Sequence, residues 1–204
     1  MNTPLSFLGI AGSLRRGSYN RAALRAAVHL VPPDVMLRTF DIGGLPLYNQ
    51  DDESAPPPAV IELKRAIRAA DAIVLASPEY NYSIPGVLKN AIDWASRPYG
   101  DSAWEGKPVA LLGASVGAFG AIRAQYHLRQ AFVFLNMHPV NQPEVAIANA
   151  AKVFTSDGSL EDETTRQRIA ELLRALADLA HRLGAERARP PSASTPRHGV
   201  TVTG

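Results

Sequence analysis

The chain has 204 residues, 46% apolar and 20% charged, with a formal net charge of +2 and no cysteine. One domain of this length buries a sizeable core without covalent staples, and the missing cysteines exclude disulfides, thiolate catalysis and Cys-ligated metal sites while fitting a reducing, cytoplasmic setting. The near-neutral charge shows no basic stripe for nucleic acid, no apolar run reaches the length of a membrane span, and the N-terminus reads as lacking a targeting leader.

Residues 5–11 form a short apolar run that ends at Gly12 and Ser13, read as a buried strand. Leu24, Ala27, Val28 and Val31 recur at i, i+3, i+4 and i+7, a helix face that Pro32 and Pro33 stop. Alternation over residues 35–40 predicts a second strand, and a loop rich in Gly, Pro and acids spans 41–58. A helix over 60–69 and a buried strand over 72–76 follow. Pro85 suits a first helical turn, after which Leu88, Ala91, Ile92 and Ala95 mark a helix face. Residues 108–113 predict a fourth strand, 121–134 a fourth helix and 143–148 a fifth strand. Ser159 and Asp162 resemble a capping box. The helix beyond presents Ile169, Leu172, Leu173, Leu176, Ala180 and Leu183 on one face, with Gly184 as its C-cap. Residues 185–204 hold Arg187, Arg189 and Arg197 against Glu186, and little to bury. They are expected to form a disordered tail, which leaves 1–184 as a single domain.

Strands alternating with helices predict an α/β three-layer sandwich, a parallel sheet covered on both faces. Five such units match the flavodoxin-like strand order 2-1-3-4-5, where ligands bind beyond the carboxyl ends of strands 1 and 3.

Three loops fall at that edge. The first, residues 12–20, combines a helix N-terminus with Ser13, Ser18, Asn20 and Arg15, and no Asp or Glu precedes Val31. Amide and hydroxyl donors, a helix dipole and a fixed cation suit a phosphate. The plainer reading is that Ser18 or Asn20 only caps the helix. The loop has neither the Gly-Lys-Ser/Thr ending of a nucleotide P-loop nor a Gly-x-Gly-x-x-Gly spacing. The second loop, residues 77–86, offers Tyr80, Asn81 and Tyr82 between prolines, suited to a flat ring with a polar edge. The third, residues 113–120, is rich in small residues that let backbone approach a ligand. Its Gly113-Ala114-Ser115-Val116-Gly117 also matches the nucleophile elbow of serine hydrolases, although no acid lies between Ser115 and either His127 or His138.

Two long stretches, Gly-Ser-Leu-Arg-x-Gly-Ser-x-Asn from Gly12 and Ser-Pro-Glu-Tyr-Asn-x-Ser-x-Pro-Gly-x-Leu-Lys-Asn-x-x-Asp-Trp from Ser77, resemble the NADPH-dependent FMN reductase family, which includes chromate, quinone and azo-dye reductases. The run from Gly120 to Arg129 resembles it too, with Ala121 where many relatives have a second Gly, and Leu45-Pro46-Leu47-Tyr48 is a weaker echo. The resemblance implies that Ser13, Arg15, Ser18, Tyr19 and Asn20 bind the phosphate end of FMN. Pro78, Glu79, Tyr80, Asn81 and Tyr82 would line its ring, with Ser115 and Gly117 touching it from the third loop. It implies two electrons passing from NADPH or NADH through FMN to a quinone, azo, flavin or metal-oxyanion acceptor, with no catalytic side chain and no metal. It also implies a homodimer or homotetramer, for which Arg123, Tyr126 and Glu144 are candidate contacts; their plainer reading is a solvated helix face and a loop acid. Two other functions compete: a flavodoxin-like electron carrier, whose usual acidity this chain lacks, and a serine hydrolase using Ser115.

Overall fold

The computed structural model describes residues 4–188. Four strands, β1 (Leu5–Ala11), β2 (Val35–Phe40), β3 (Ala72–Ala76) and β4 (Pro108–Ala114), lie parallel in the order β2-β1-β3-β4. Every residue of β3 and β4 is buried, as a parallel sheet covered on both faces requires. Alternate side chains feed two cores. Phe7, Val74, Ala110 and Leu112 pack under α1 (Tyr19–Val28) and α6 (Glu163–Ala188). Leu8, Ile10, Ile73, Leu75 and Leu111 pack under α2 (Pro58–Ala69), α3 (Gly86–Ala95) and α4 (Ile122–Leu135). This is the flavodoxin-like sandwich expected from the strand–helix alternation.

The fifth sheet position is divided. β5 (His138–Pro139) pairs with Pro108 and Val109 at the start of β4, and β6 (Val145–Ile147) pairs with residues 112–114 at its end. Proline has no N–H for a ladder, so Pro139 and Pro143 restrict pairing to short pieces at this edge. The link between them is fixed to α4 by Arg129, which donates to Asn141 Oδ1 at 3.0 Å and Val140 O at 2.8 Å. The short helix α5 (Ala150–Val153) follows β6.

Two expected helix ends are corrected. Asp162, not Ser159, caps α6: its carboxylate accepts from the Thr165 N–H at 2.8 Å. Hydrogen bonding from the Thr165 side chain, and then from its N–H, holds the Asp162 carboxyl below its ordinary value. Ser159 instead closes a turn with Thr155 and Asp157. Nor does α6 stop at Gly184; it runs to Ala188. The good helix formers Ala185 to Ala188 outweigh the roughly 1 kcal/mol that one interior glycine costs. The expected tail therefore begins inside the helix, and its part beyond Ala188 lies outside the described residues.

The loop over residues 41–57 is strapped to α3. Trp94 Nε1 and Asn90 Nδ2 both donate to Pro46 O, at 2.9 and 2.8 Å, and Asn90 Oδ1 accepts from the Tyr48 N–H at 2.7 Å. The Tyr48 ring meets the edge of Trp94 with centroids 5.1 Å apart. Asn90 and Trp94 of the second long motif therefore serve this strap, and so does the weaker Leu45-Pro46-Leu47-Tyr48 echo.

Candidate active site

All three loops emerge at the carboxyl ends of their strands, and their roots are joined. The Gly12 N–H donates to Ala76 O at 2.8 Å, and the Ser77 N–H to Leu112 O at 3.0 Å. Each loop thus continues the hydrogen-bond ladder one step past the sheet.

In the first loop Ser18 is the N-cap of α1, accepting from the Arg21 N–H at 3.4 Å. The first-turn N–H groups of Tyr19 and Asn20 have no intrahelical acceptor. Ser13 and Ser18 are both buried, whereas Arg15 is exposed and its guanidinium lies 5.6 Å from the Tyr19 ring centre. Tyr19 packs in turn on Phe154. Asn20 behaves differently from the sequence expectation. Its Nδ2 donates to Ala114 O at 2.9 Å and its Oδ1 accepts from the Ala114 N–H at 2.8 Å. The carboxamide joins the first loop to the end of β4.

The second loop turns sharply at Asn81 and Tyr82, which have φ of 51° and 65°. Tyr80 and Ser83 exchange both backbone hydrogen bonds across the turn at 3.0 Å. Glu79 turns its carboxylate toward α4, where it pairs with the Arg123 guanidinium and accepts the N–H groups of Arg123 at 3.1 Å and Ala124 at 3.4 Å. This anion at a helix N-terminus meets both unsatisfied donors and a favourable dipole. The pairing raises the Arg123 guanidinium pKa further above its ordinary value.

The third loop bends back against β6. Ser115 Oγ accepts from the Gly117 N–H at 3.1 Å, and the Ser115 N–H donates to Ile147 O at 3.0 Å. Gly120 has a φ of 55°, and a Cβ there would come within 2.5 Å of the Ala146 carbonyl carbon. Only glycine permits this approach. Ala121 shares the left-handed conformation, with a φ of 66°, which explains why a second glycine suits its position.

One cleft joins the loops. Ser13, Arg15, Ser18, Tyr19, Asn20, Pro78, Glu79, Tyr80 and Ser115 line it, together with Ala114 and Val116. Asn81, Tyr82 and Gly117 lie outside its lining. Ala114 and Val116 were missed by the sequence reading, although they flank Ser115 in the same loop. Beside the second loop, the Arg123 guanidinium sits 4.7 Å from the Phe119 ring and His127 Nδ1 lies 2.8 Å from Ser83 Oγ; neither Phe119 nor His127 lines the cleft.

The residues present fit an FMN group. The phosphate end would meet buried hydroxyls and a helix N-terminus, and the one carboxylate in the lining is already engaged by Arg123. A model of the NADPH-dependent FMN reductase family matches residues 5–152. The chain belongs to that family. It is 54% identical over 184 residues to an NAD(P)H-dependent FMN reductase of Pseudomonas aeruginosa, covering 90% of this chain and 99% of that one. A quinone reductase of Pseudomonas putida is 47% identical over 165 residues, covering 80% of this chain and 89% of the other. Among solved structures, FerB of Paracoccus denitrificans, a flavoenzyme NAD(P)H:acceptor oxidoreductase, superposes with a TM-score of 0.80 at 36% identity, covering 87% of this chain and 98% of that one. Family membership bears out the enzyme class, an oxidoreductase, and FMN as the cofactor.

The hydrolase reading finds no geometry. His127 bonds to Ser83, His181 lies 3.5 Å from Asp34, and His138 pairs with the opposite end of β4. Among the described residues no histidine is bonded to Ser115.

Proposed function

We propose that this FMN reductase carries two electrons from NADPH or NADH to a small quinone-type acceptor. The observation that carries this reading is the single cleft shared by the phosphate-type loop at Ser13 and Ser18 and the ring-type loop at Pro78 and Tyr80. Bound FMN supplies the redox chemistry, accepting hydride and returning electron pairs. The chain's own contribution is placement. Ser13 and Ser18 hydroxyls, the Arg15 cation and the first-turn amides of α1 hold the phosphate. Main-chain groups of residues 78–80, the part of the second loop that lines the cleft, face the ring edge, where fixed amide dipoles stabilise negative charge. The half-exposed Tyr80 leaves a face open to the nicotinamide and then to the acceptor.

The test is spectroscopic. Purified protein reconstituted with FMN should show an oxidised flavin spectrum that NADPH bleaches without a partner protein, and a benzoquinone should restore it. Flavin that NADPH cannot bleach would instead indicate an electron carrier, and protein that takes up no FMN would refute both readings.

The assembly is proposed as a homodimer or homotetramer built on α4. Tyr126, Val133 and Phe134 are large, exposed residues of that helix, with Val133 83% and Phe134 74% accessible. Tyr126 OH donates to Glu144 Oε1 at 3.0 Å, which raises the tyrosine pKa and fixes a polar pair beside this apolar surface. Arg123 is engaged within its own chain by Glu79. A cytoplasmic location is likewise proposed; among the described residues no helix is long and apolar enough to cross a membrane.

A further inference from the structure

The turn at Asn81 and Tyr82 is backbone that a tyrosine disfavours. Left-handed φ is tolerated by asparagine but uncommon for a bulky side chain, so the surroundings must hold it. Three contacts from the α4 region meet this turn. The Arg123 guanidinium carbon lies 3.7 Å from the centre of the Tyr82 ring and 4.7 Å from that of Phe119, a cation between two aromatic faces. The same guanidinium pairs with Glu79, whose second oxygen accepts two N–H groups of α4. Ser83 Oγ lies within hydrogen-bond distance of His127 Nδ1. The Glu79 side chain is 8% exposed, and its carboxylate bonds go to Arg123 and Ala124 of α4. Arg123 Nε is buried without an acceptor, so ring stacking and Glu79 fix this guanidinium, not a full set of hydrogen bonds.

We infer that Glu79 and Arg123 are positioning residues for the flavin edge: Glu79 acts through Arg123, and Arg123 acts through the Tyr82 ring to fix the main chain of residues 80–82. The inference rests on the FMN reading above. Donors stabilise developing charge only if they are already in place. A slack turn would therefore weaken FMN binding and stabilise the reduced ring least of all, which makes the midpoint potential more negative.

A double-mutant cycle on FMN binding separates this role from direct flavin contact. Flavin-free wild type, Glu79→Gln, Arg123→Ala and the double variant are titrated with FMN, and each FMN-loaded form is assayed with NADPH. Each single change should raise the FMN Kd about tenfold, with the double variant within about threefold of the worse single, because coupled residues are not additive. Arg123→Ala should also shift the flavin potential negatively and lower kcat more than it changes KM. Tyr82→Leu, a change at an exposed ring that leaves the Glu79–Arg123 pair intact, should reproduce the potential shift. Arg123→Lys, which keeps the charge but not the planar stack, should recover only part of the loss. FMN uptake by wild type with multiplicative losses, about 100-fold in the double variant, and an unchanged potential would overturn the proposal alone. A wild type that takes up no FMN would overturn the FMN reading and the proposal with it.

Discussion

Asn20 lies in the phosphate-type loop, yet its carboxamide bonds a residue 94 positions away. Replacing it with Ala would leave the buried N–H and C=O of Ala114 without partners. Asn20→Ala should therefore cost about 2–6 kcal/mol of stability, from about 1–3 kcal/mol for each of the two unsatisfied buried groups, measurable by chemical denaturation of the flavin-free protein. Arg15 is the opposite case, exposed and without a bonded carboxylate among the described residues. Arg15→Ala should leave stability nearly unchanged and weaken FMN by about 1.5–3 kcal/mol, the worth of a charged hydrogen bond; unaltered flavin retention would remove Arg15 from the phosphate site. The contrast marks what the sequence could disclose. Residue chemistry and loop position identified the cleft, because Ser13, Ser18 and Tyr80 sit where strand ends must bring ligands. The partners of Asn20 and Glu79 were illegible, since both bonds join segments more than 40 positions apart and depend on how loops fold back over the sheet.

Among the elements, buried runs and 3.6-residue periodicity located β1, β3, β4 and the main helices, because a core written continuously into the chain needs no long-range information. The fifth strand position was harder. Its hydrophobic signal is interrupted by Pro139 and Pro143, and only the pairing with β4 shows that two fragments share it. The segment after α3 illustrates an element held by charge. Asp101 accepts from Lys64 Nζ at 2.7 Å and pairs with Arg68, while Lys64 is buried. The Lys64 and Arg68 bonds hold the Asp101 carboxyl below its ordinary value of 3.8. A depressed carboxyl contributes stability above its unfolded-state pKa and loses it as pH falls through the folded-state value. Asp101→Asn should thus destabilise the protein at pH 7, by less than about 1 kcal/mol because the carboxylate is largely exposed. The difference in Tm from wild type should shrink as pH is lowered below 3.8; a constant difference down to acid pH would contradict this account.

For the whole molecule, Tyr126, Val133 and Phe134 on the exposed face of α4 are the strongest pointer to self-association, since singly scattered exposed hydrophobics are ordinary. Phe134→Glu places a charge on that face without touching the cleft. It should shift the protein to a smaller species in light scattering while the apparent FMN affinity falls no more than about twofold, in keeping with the small effects of surface changes. An unchanged mass would move the interface elsewhere. The joined loop roots have a different consequence. Gly12 to Ala76, Ser77 to Leu112, Ser115 to Ile147 and the Asn20 bridge to Ala114 link the cleft walls to one another and to the sheet. Their ordering is completed during folding, before any ligand arrives. Binding a flavin then incurs little loop entropy, so the gross contact energy is returned as affinity rather than consumed in arranging the protein. Such a cradle should release its electron-carrying group and take it up again without refolding, because these links keep the walls in place through the exchange.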